Sequence, residues 1–572
     1  MTTLLPATAR QARRISRIVA VALFLLRAVA DAEPARGADG IAATGHPLAT
    51  RAAVEAMARG GNAVDAAVAA ALTLGVVDGA NSGLGGGCFL LIRTAGGECV
   101  AIDGRETAPQ AATRETFLRE GKADTRLSQT GALAPGVPGA LAAYDLALKR
   151  HGKLPLKTHL LAAAEIAEKG FAIDGGYAAK LKSVAEDMAR FEAARAIFFK
   201  KDAGPLGKGE TLRQTDLAAT YRAIAEQGIA WFYEGPFADA TARWMRENGG
   251  LLTREDFASY RAAVREPVRS TYRGHEVIGF PPPSSGGVHV AQILNMVEGF
   301  DLRAFGPLSA DAIHVVAEAM KLAFADRAHW LGDPAFAPVP RGLMAKDYAR
   351  KLAGQIRMDR ASPVTAHGTP DEAATDVFKH TTHLSTADAE GNWVACTATI
   401  NTTFGSKVVV PGTGVLLNNE MDDFSLQPGV PNAFKLLGGD ANAVAPGKRP
   451  LSSMSPTIVL KDGQPILAVG AAGGPTIISQ TLLAIVNTVD FGMNVEAAVG
   501  GARFHHQWAP DELRIEEGVD AAVLKALRMR GHAVSAVRAF GVCQAVAREP
   551  GQAIFSGASD PRGGGEAAGW SR

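Results

Sequence analysis

The stretch that most restricts the fold is THLSTADAEGNWVACTATIN, residues 382–401, directly after Thr381. β-Branched and apolar residues fill both halves, and Glu390-Gly391 supplies turn chemistry between them, so the spacing predicts a β-hairpin. With the turn centred on residue 390, Thr381 falls opposite Thr399. Directly opposed Cβ atoms lie ~4.5–5.5 Å apart, close enough for two hydroxyls to share a hydrogen bond. A slip of one residue would destroy that pairing.

Two adjacent threonines bracketed by His380 and His383 open the first strand. A threonine hydroxyl is a poor nucleophile without a neighbouring base. If the chain is cut before Thr381, the new α-amino group (pKa ~7.7–8.0) is that base, carried by the same residue. The hydroxyl can also attack the preceding carbonyl and release its own amino terminus. Residues 355–378 are polar and carry Pro, Gly and Asp, so they read as an exposed, flexible segment that ends just before the cut.

At 572 residues the chain exceeds one small core and implies two or three domains or one large layered body. The net charge is +1 and no Lys/Arg block occurs, which argues against nucleic-acid binding. Arg10, Arg13, Arg14, Arg17 and Arg27 flank the apolar run Ile18–Leu26, which is followed by small residues. This is the layout of a secretory signal over residues 1–32. No later run reaches ~18 apolar residues, so the expected mature protein is periplasmic or secreted and makes no membrane contact once the signal is removed. Cys88, Cys99, Cys396 and Cys543 show no metal spacing; buried thiols are the expectation, with a Cys88–Cys99 bridge across a hairpin as the weaker option. His505 and His506 are adjacent and would face opposite ways on a strand, a poor metal pair. No HExxH, GxxxxGK[ST], GxSxG or SxxK motif is present, so no metal or cofactor is expected.

Further along the chain, HPLATRAAVEAMARGGNAVDAAVAAALTLGVV predicts two helices broken at Gly60-Gly61-Asn62. CFLLIRTAGGECVAIDGRE predicts two strands about a Gly-Gly turn, with Arg105 near the end. Residues 131–331 read as mainly helical. Glycine clusters in SGLGGGCF, PPPSSGGVH and GAAGGP mark tight turns or close backbone approach, hence candidate site walls.

TTHLS is followed in order by NTTFGS, GVLLNNEMDDFS, GGDANAVAPGKRPLSSMSPTIV, GAAGGP, ARFHHQW and GASDPR, and preceded by GGNAVDAAVA, NSGLGGGCF, DGRE and FPPPSSGG. In these motifs the chain resembles the γ-glutamyltranspeptidase (glutathione hydrolase) family of N-terminal nucleophile hydrolases, from about Ile41 to Gly565. The resemblance implies an α+β fold, a four-layer αββα sandwich of two antiparallel sheets. It implies autocleavage between His380 and Thr381, giving a large subunit (33–380) and a small subunit (381–572) that form a heterodimer. It implies Thr381 as nucleophile, Thr399 as its helper, and Gly473 and Gly474 as the oxyanion hole. Arg105, Ser452 and Ser453 would read the donor's α-carboxylate, and Asn401, Glu420 and Asp423 its α-ammonium. The implied substrates are glutathione and other γ-glutamyl compounds, with water or amino acid or peptide acceptors. Position 420 is Glu where some relatives have Gln, and Phe434 stands where well-known bacterial relatives carry a lid tyrosine.

The residues alone leave simpler readings open: a strand-end salt bridge of Arg105 with Glu106 or Asp103, and a solvated turn or helix cap for Asp422-Asp423. Two rival functions are a glutaryl (cephalosporin) acylase on the same scaffold and an uncleaved, inactive binding protein.

Overall fold

The computed structural model describes residues 34–201, 204–370, 382–548 and 551–572. The expected signal, the His380–Thr381 bond and residues 371–378 lie outside these.

The elements that position the site begin with β1 (Ala35–Gly37), β2 (Gly40–Thr44), α1 (Pro47–Ala58) and α2 (Ala63–Val77). The break between the helices is the expected one: Asn62 caps α2 through its side chain, and Asp65 returns a bond to the Asn62 N–H at 2.9 Å, a reciprocal capping box. Strands β3 (Gly87–Arg93), β4 (Cys99–Gly104), β5 (Ala263–Arg265), β6 (Val268–Tyr272) and β7 (His275–Gly279) follow. Then come α3 (Ser285–Val297), α4 (Ala310–Trp330), β8 (Thr382–Asp388) and β9 (Trp393–Thr399). The chain continues through β10 (Thr457–Lys461), β11 (Gln464–Ala472), α5 (Thr476–Val489), β12 (Val542–Arg548), β13 (Phe555–Ser559) and β14 (Glu566–Trp570).

These strands build two seven-stranded antiparallel sheets, in the orders β14-β2-β8-β9-β3-β4-β5 and β1-β13-β12-β11-β10-β7-β6. Alternation sorts their side chains into layers. Phe89, Leu91, Trp393 and Ala395 of the first sheet meet Ile278, Ile458, Ala468 and Val546 of the second in a dry central core, where Phe89 stacks on Phe280 at 4.1 Å. The intervening residues Leu90, Ile92, Val394 and Cys396 face outward onto α2 and its neighbouring helices. Val459, Leu467, Val469 and Ala545 face the opposite way onto α3, α4 and α5. Both faces of each sheet are therefore covered, which is why runs such as CFLLI are apolar throughout. The four-layer αββα sandwich is present.

The central hairpin has the expected register. Thr382 pairs with Ala398 and His383 with Thr397, and the turn closes between Asp388 and Asn392.

Two expectations are corrected, and a third, the buried free thiols, holds while its weaker disulfide alternative falls. Residues 263–279, read as part of a helical region, form β5, β6 and β7. The missed signal was VRSTYRGHEVIG, two β-rich runs about an Arg-Gly turn whose residues Arg273 (φ 48) and Gly274 (φ 75) are left-handed. The described part of the supposedly flexible segment, 355–370, is tied down. Ser362 bonds Glu318 and Lys321 of α4, Gly368 N–H donates to Asp326 at 2.6 Å, and Trp508 Nε1 donates to Val364 O at 2.8 Å. All four cysteines are free and buried; Cys88 pairs with Gly104 and Cys99 with Arg93, so the two lie at opposite ends of one ladder, beyond bridging reach.

The SGLGGG cluster owes its composition to close approach: a Cβ on Gly86 would sit 1.8 Å from the carbonyl oxygen of Thr399. Gly86→Ala must push the end of β9 aside, and overpacking of this kind costs about 1–3 kcal/mol. The expected result is a lower thermal midpoint together with a loss of activity larger than the stability loss explains. An unchanged melt and rate would contradict the contact.

Candidate active site

β9 ends at Thr399, whose buried Oγ1 accepts the N–H of Asn401 at 2.7 Å. Asn401 takes a left-handed turn (φ 72), which asparagine tolerates better than most residues. Its Nδ2 donates to Asn419 O at 2.9 Å, while its Oδ1 is buried with no hydrogen-bond partner among the described residues. β11 leads into Gly473 (φ 133) and Gly474 (φ 62), backbone angles that suit glycine, and α5 starts two residues later. Thr476 Oγ1 donates to Gly473 O at 2.7 Å and Gln480 Nε2 to Ala472 O at 2.9 Å, so side chains of the first turns of α5 fix the peptide planes of this bend. Thr399, Asn401 and the glycine pair thus come from two different sheets to one end of the sandwich. Asn401, Gly473 and Gly474 line a cavity of about 740 Å³.

Below this end lies a buried charge cluster. Arg105, fully buried just past β4, contacts Glu420 and Asp423 at 2.7 Å each and Glu106 at 3.6 Å, and its Nε donates to Pro450 O at 3.2 Å. Three carboxylates around one guanidinium leave surplus negative charge in a water-poor site. Burial accordingly pushes Glu106 up to about 8, against the pull of Arg105, and burial also raises Glu420 well above the carboxylate range. Beyond these ion-pair contacts with Arg105, the oxygens of both glutamates make no aligned hydrogen bond among the described residues. The strand-end pairing of Arg105 with Glu106 is thus one contact of a larger cluster. Asp422 is not a solvated turn: it is buried and accepts bonds from Ser128 (2.7 Å), Gln129 (3.2 Å) and Ala433 N–H (3.0 Å).

The Ser452 carbonyl accepts from the backbone N–H of Ser285 at 3.1 Å, and Ser453 Oγ accepts from Arg327 Nη2 at 3.4 Å. Arg327, on α4, is a residue that sequence reasoning missed. It is fully buried, and burial lowers its pKa to about 9 with Asp423 opposing the shift. The only sign of it was a charge inside the apolar helical run HVVAEAMKLAFADRAHW.

The loop that carries Phe434 was also only partly legible. The Phe434 ring sits against Gly474, where a Cβ would come within 2.7 Å of its Cδ1. Asn432 holds the loop: its Oδ1 accepts the N–H groups of Phe434 (3.0 Å) and Leu436 (3.2 Å), and its Nδ2 donates to Asp423 at 3.3 Å. Gln507 Nε2 donates to the carbonyls of Phe434 and Lys435 at 3.3 Å. The adjacent His505 and His506 bond Ser479 (2.5 Å) and Asp511 (3.0 Å) respectively.

This end of the sandwich, with a glycine-built bend facing a threonine at a central strand end, is the architecture of an N-terminal nucleophile hydrolase. The family model for gamma-glutamyltranspeptidase matches residues 49–570. The glutathione hydrolase proenzyme of Escherichia coli K12 is 47% identical over 92% of this chain and 91% of its own length. Acylase ACY 1 proenzyme of Pseudomonas sp. SE83 is 41% identical over 91% of each. The crystal structure of cephalosporin acylase from Bacillus halodurans superposes with a TM-score of 0.84 at 31% identity, covering 94% of this chain and 97% of that one. The chain belongs to the γ-glutamyltranspeptidase family.

His383 is fully buried between Thr397 Oγ1 and Ser385 Oγ, each 2.9 Å from a ring nitrogen, and burial pushes its pKa down to about 3. It is therefore neutral throughout the working range. Below about pH 6.5 the unfolded chain binds a proton that this folded ring refuses, so stability falls as the pH drops through that value. His383→Gln is expected to keep the acidic limb of the pH–rate profile and to weaken acid sensitivity of the fold. Loss of that limb in a folded variant would make His383 the base.

Proposed function

We propose that this chain is an exported γ-glutamyltransferase and glutathione hydrolase, made as a precursor and cut between His380 and Thr381 after loss of residues 1–32. The observation that carries the reading is the buried Arg105–Glu420–Asp423 cluster, in which the acids outnumber the one guanidinium that pairs with them. A γ-glutamyl donor brings one ammonium and one carboxylate. The ammonium would take over Asn401 Oδ1, Glu420 and Asp423, freeing an edge of Arg105 to hold the carboxylate as a planar fork beside Ser452 and Ser453.

Continuing the β8–β9 register one step would set residue 381 against Thr399, whose hydroxyl would orient the nucleophile. The Thr381 hydroxyl adds to the γ-carbonyl as its own α-amino group takes the proton. The N–H groups of Gly473 and Gly474 receive the oxyanion, a contribution of roughly 2.7–4 kcal/mol per donor in comparable sites. The C–N bond then breaks as the leaving amine takes that proton, leaving a γ-glutamyl ester on Thr381. Water, or the amine of an amino acid or peptide, attacks the ester by the reverse proton path and regenerates Thr381. The two subunits would stay together because β8 pairs with β2 and β9 with β3.

The likeness to acylases supports a second reading, in which the acyl group is glutaryl. That group has no ammonium and would leave Glu420 and Asp423 facing an apolar chain, a costly arrangement for buried acids.

A denaturing gel should show fragments spanning 33–380 and 381–572, with Thr381 at the amino terminus of the smaller. Thr381→Ala should remain one inactive chain; a processed Thr381→Ala protein would overturn self-cleavage, and an uncut, silent wild type would favour the binding-protein reading. Asp423→Asn should raise KM for a γ-glutamyl anilide at least tenfold and spare a glutaryl anilide. The opposite ranking would favour the acylase. Arg105→Lys keeps charge but loses the fork, so KM should rise much more than processing slows.

A further inference from the structure

The cavity outside the charge cluster has its own sign. Among the described residues that line it there is no Asp or Glu, and its charged side chains are Lys180, Lys407 and Arg562. Two of these are committed. Lys180 pairs with Asp78 at 3.5 Å, and Arg562 bonds Glu516 and Asp560, at 2.8 and 3.1 Å respectively. Lys407 forms no ion pair among the described residues. It is 6% exposed, and its Nζ donates to Gly405 O at 2.7 Å, with Thr402 Oγ1 and Gln129 O more distant at 3.4 Å. Gln129 and Thr402 line the same cavity.

Its backbone is a second, independent sign. Lys407 has φ 67, a left-handed conformation that costs roughly 1–2 kcal/mol for a residue with a Cβ and that glycine adopts freely. A long cationic side chain held at such a position, mostly withdrawn from water and satisfied only by neutral oxygens, is costly unless a negative partner completes it.

Resting on the donor site proposed above, we infer that Lys407 is a specificity-determining residue that binds the carboxylate of the leaving group and of the acceptor, so that the enzyme prefers γ-glutamyl amides and acceptor peptides with a free carboxylate. Asn401, at the mouth of the donor site, and Lys407 lie six positions apart on one loop after β9, and both line the cavity. An acyl group bound below and a carboxylate bound at Lys407 would place the scissile amide between them, beside Gly473. Burial lowers the ammonium to about 8, with Asp187 and Asp422 the acids that oppose the shift. The preference should therefore weaken as the pH rises through about 8, where the ammonium loses its proton.

The test compares processed wild type with Lys407→Met, which keeps the stem, and Lys407→Gly, which suits the backbone angle. Donors are γ-glutamyl 4-nitroanilide and its 3-carboxy derivative; acceptors are glycylglycine and glycylglycine amide. In wild type the carboxylate member of each pair should have the lower KM. Loss of one charge-assisted contact should shrink that KM ratio about tenfold in both variants, and the wild-type ratio should fall above pH 8. A ratio that is the same in wild type and variants overturns the inference, as does an equal rise in KM for both members of each pair, which would mark Lys407 as a loop clamp only. If wild type turns over neither anilide, the donor-site reading itself fails, a result distinct from an unaltered ratio.

Discussion

β8 and β9 bond not only to each other but outward to β2 and β3, so the hairpin that starts at Thr382 has no free edge. Its strand ends are fixed by ladders on both sides, by Gly86 pressed against the Thr399 carbonyl, and by side chains buried on both faces. A residue carried at the start of β8 inherits a position set by two sheets and two helical layers. Rigid support of this kind is what a reacting group needs, since small displacements of catalytic atoms lose much of the rate. The second sheet contributes through the bend at Gly473-Gly474, where β11 passes into α5.

Electrostatics divides the site into two zones of opposite character. Around Arg105 the acids outnumber the base and are cut off from water, so protons and ligands must supply positive charge there. Around Lys407 the lining is cationic and without acids among the described residues. Removing one partner from a buried ion cluster typically costs 3–5 kcal/mol, because the remaining charge is left uncompensated. Arg105 is therefore a structural element of the fold as well as the proposed reader of substrate, and its loss would blur the two roles.

Much of this was legible in the sequence wherever the signal was local. The register of the central hairpin followed from Glu390-Gly391 and the spacing of the threonines, and the α1–α2 break followed from Gly60-Gly61-Asn62. The αββα layering and the grouping of Arg105, Glu420, Asp423 and the Gly-Gly bend came through family resemblance rather than periodicity. What stayed hidden depended on distant contacts. β6 and β7 were masked by helical neighbours on either side. The 355–370 segment has a loop's composition, but α4 and Trp508 supply it with partners no local window contains. Arg327, Asn432 and Lys407 matter through what folds against them.

Asp423 joins two things that could have been separate. One of its carboxylate oxygens meets Arg105 and the other receives the side chain of Asn432, the residue that shapes the loop carrying Phe434. The charge balance at the floor and the posture of the loop at the roof thus meet in a single group. Any ligand that alters the bonding of Asp423 alters the free energy of the roof, and any change that favours one roof position alters affinity at the floor by the same factor. Reciprocity of this kind needs no relay of intermediate residues, since the coupling is one side chain wide.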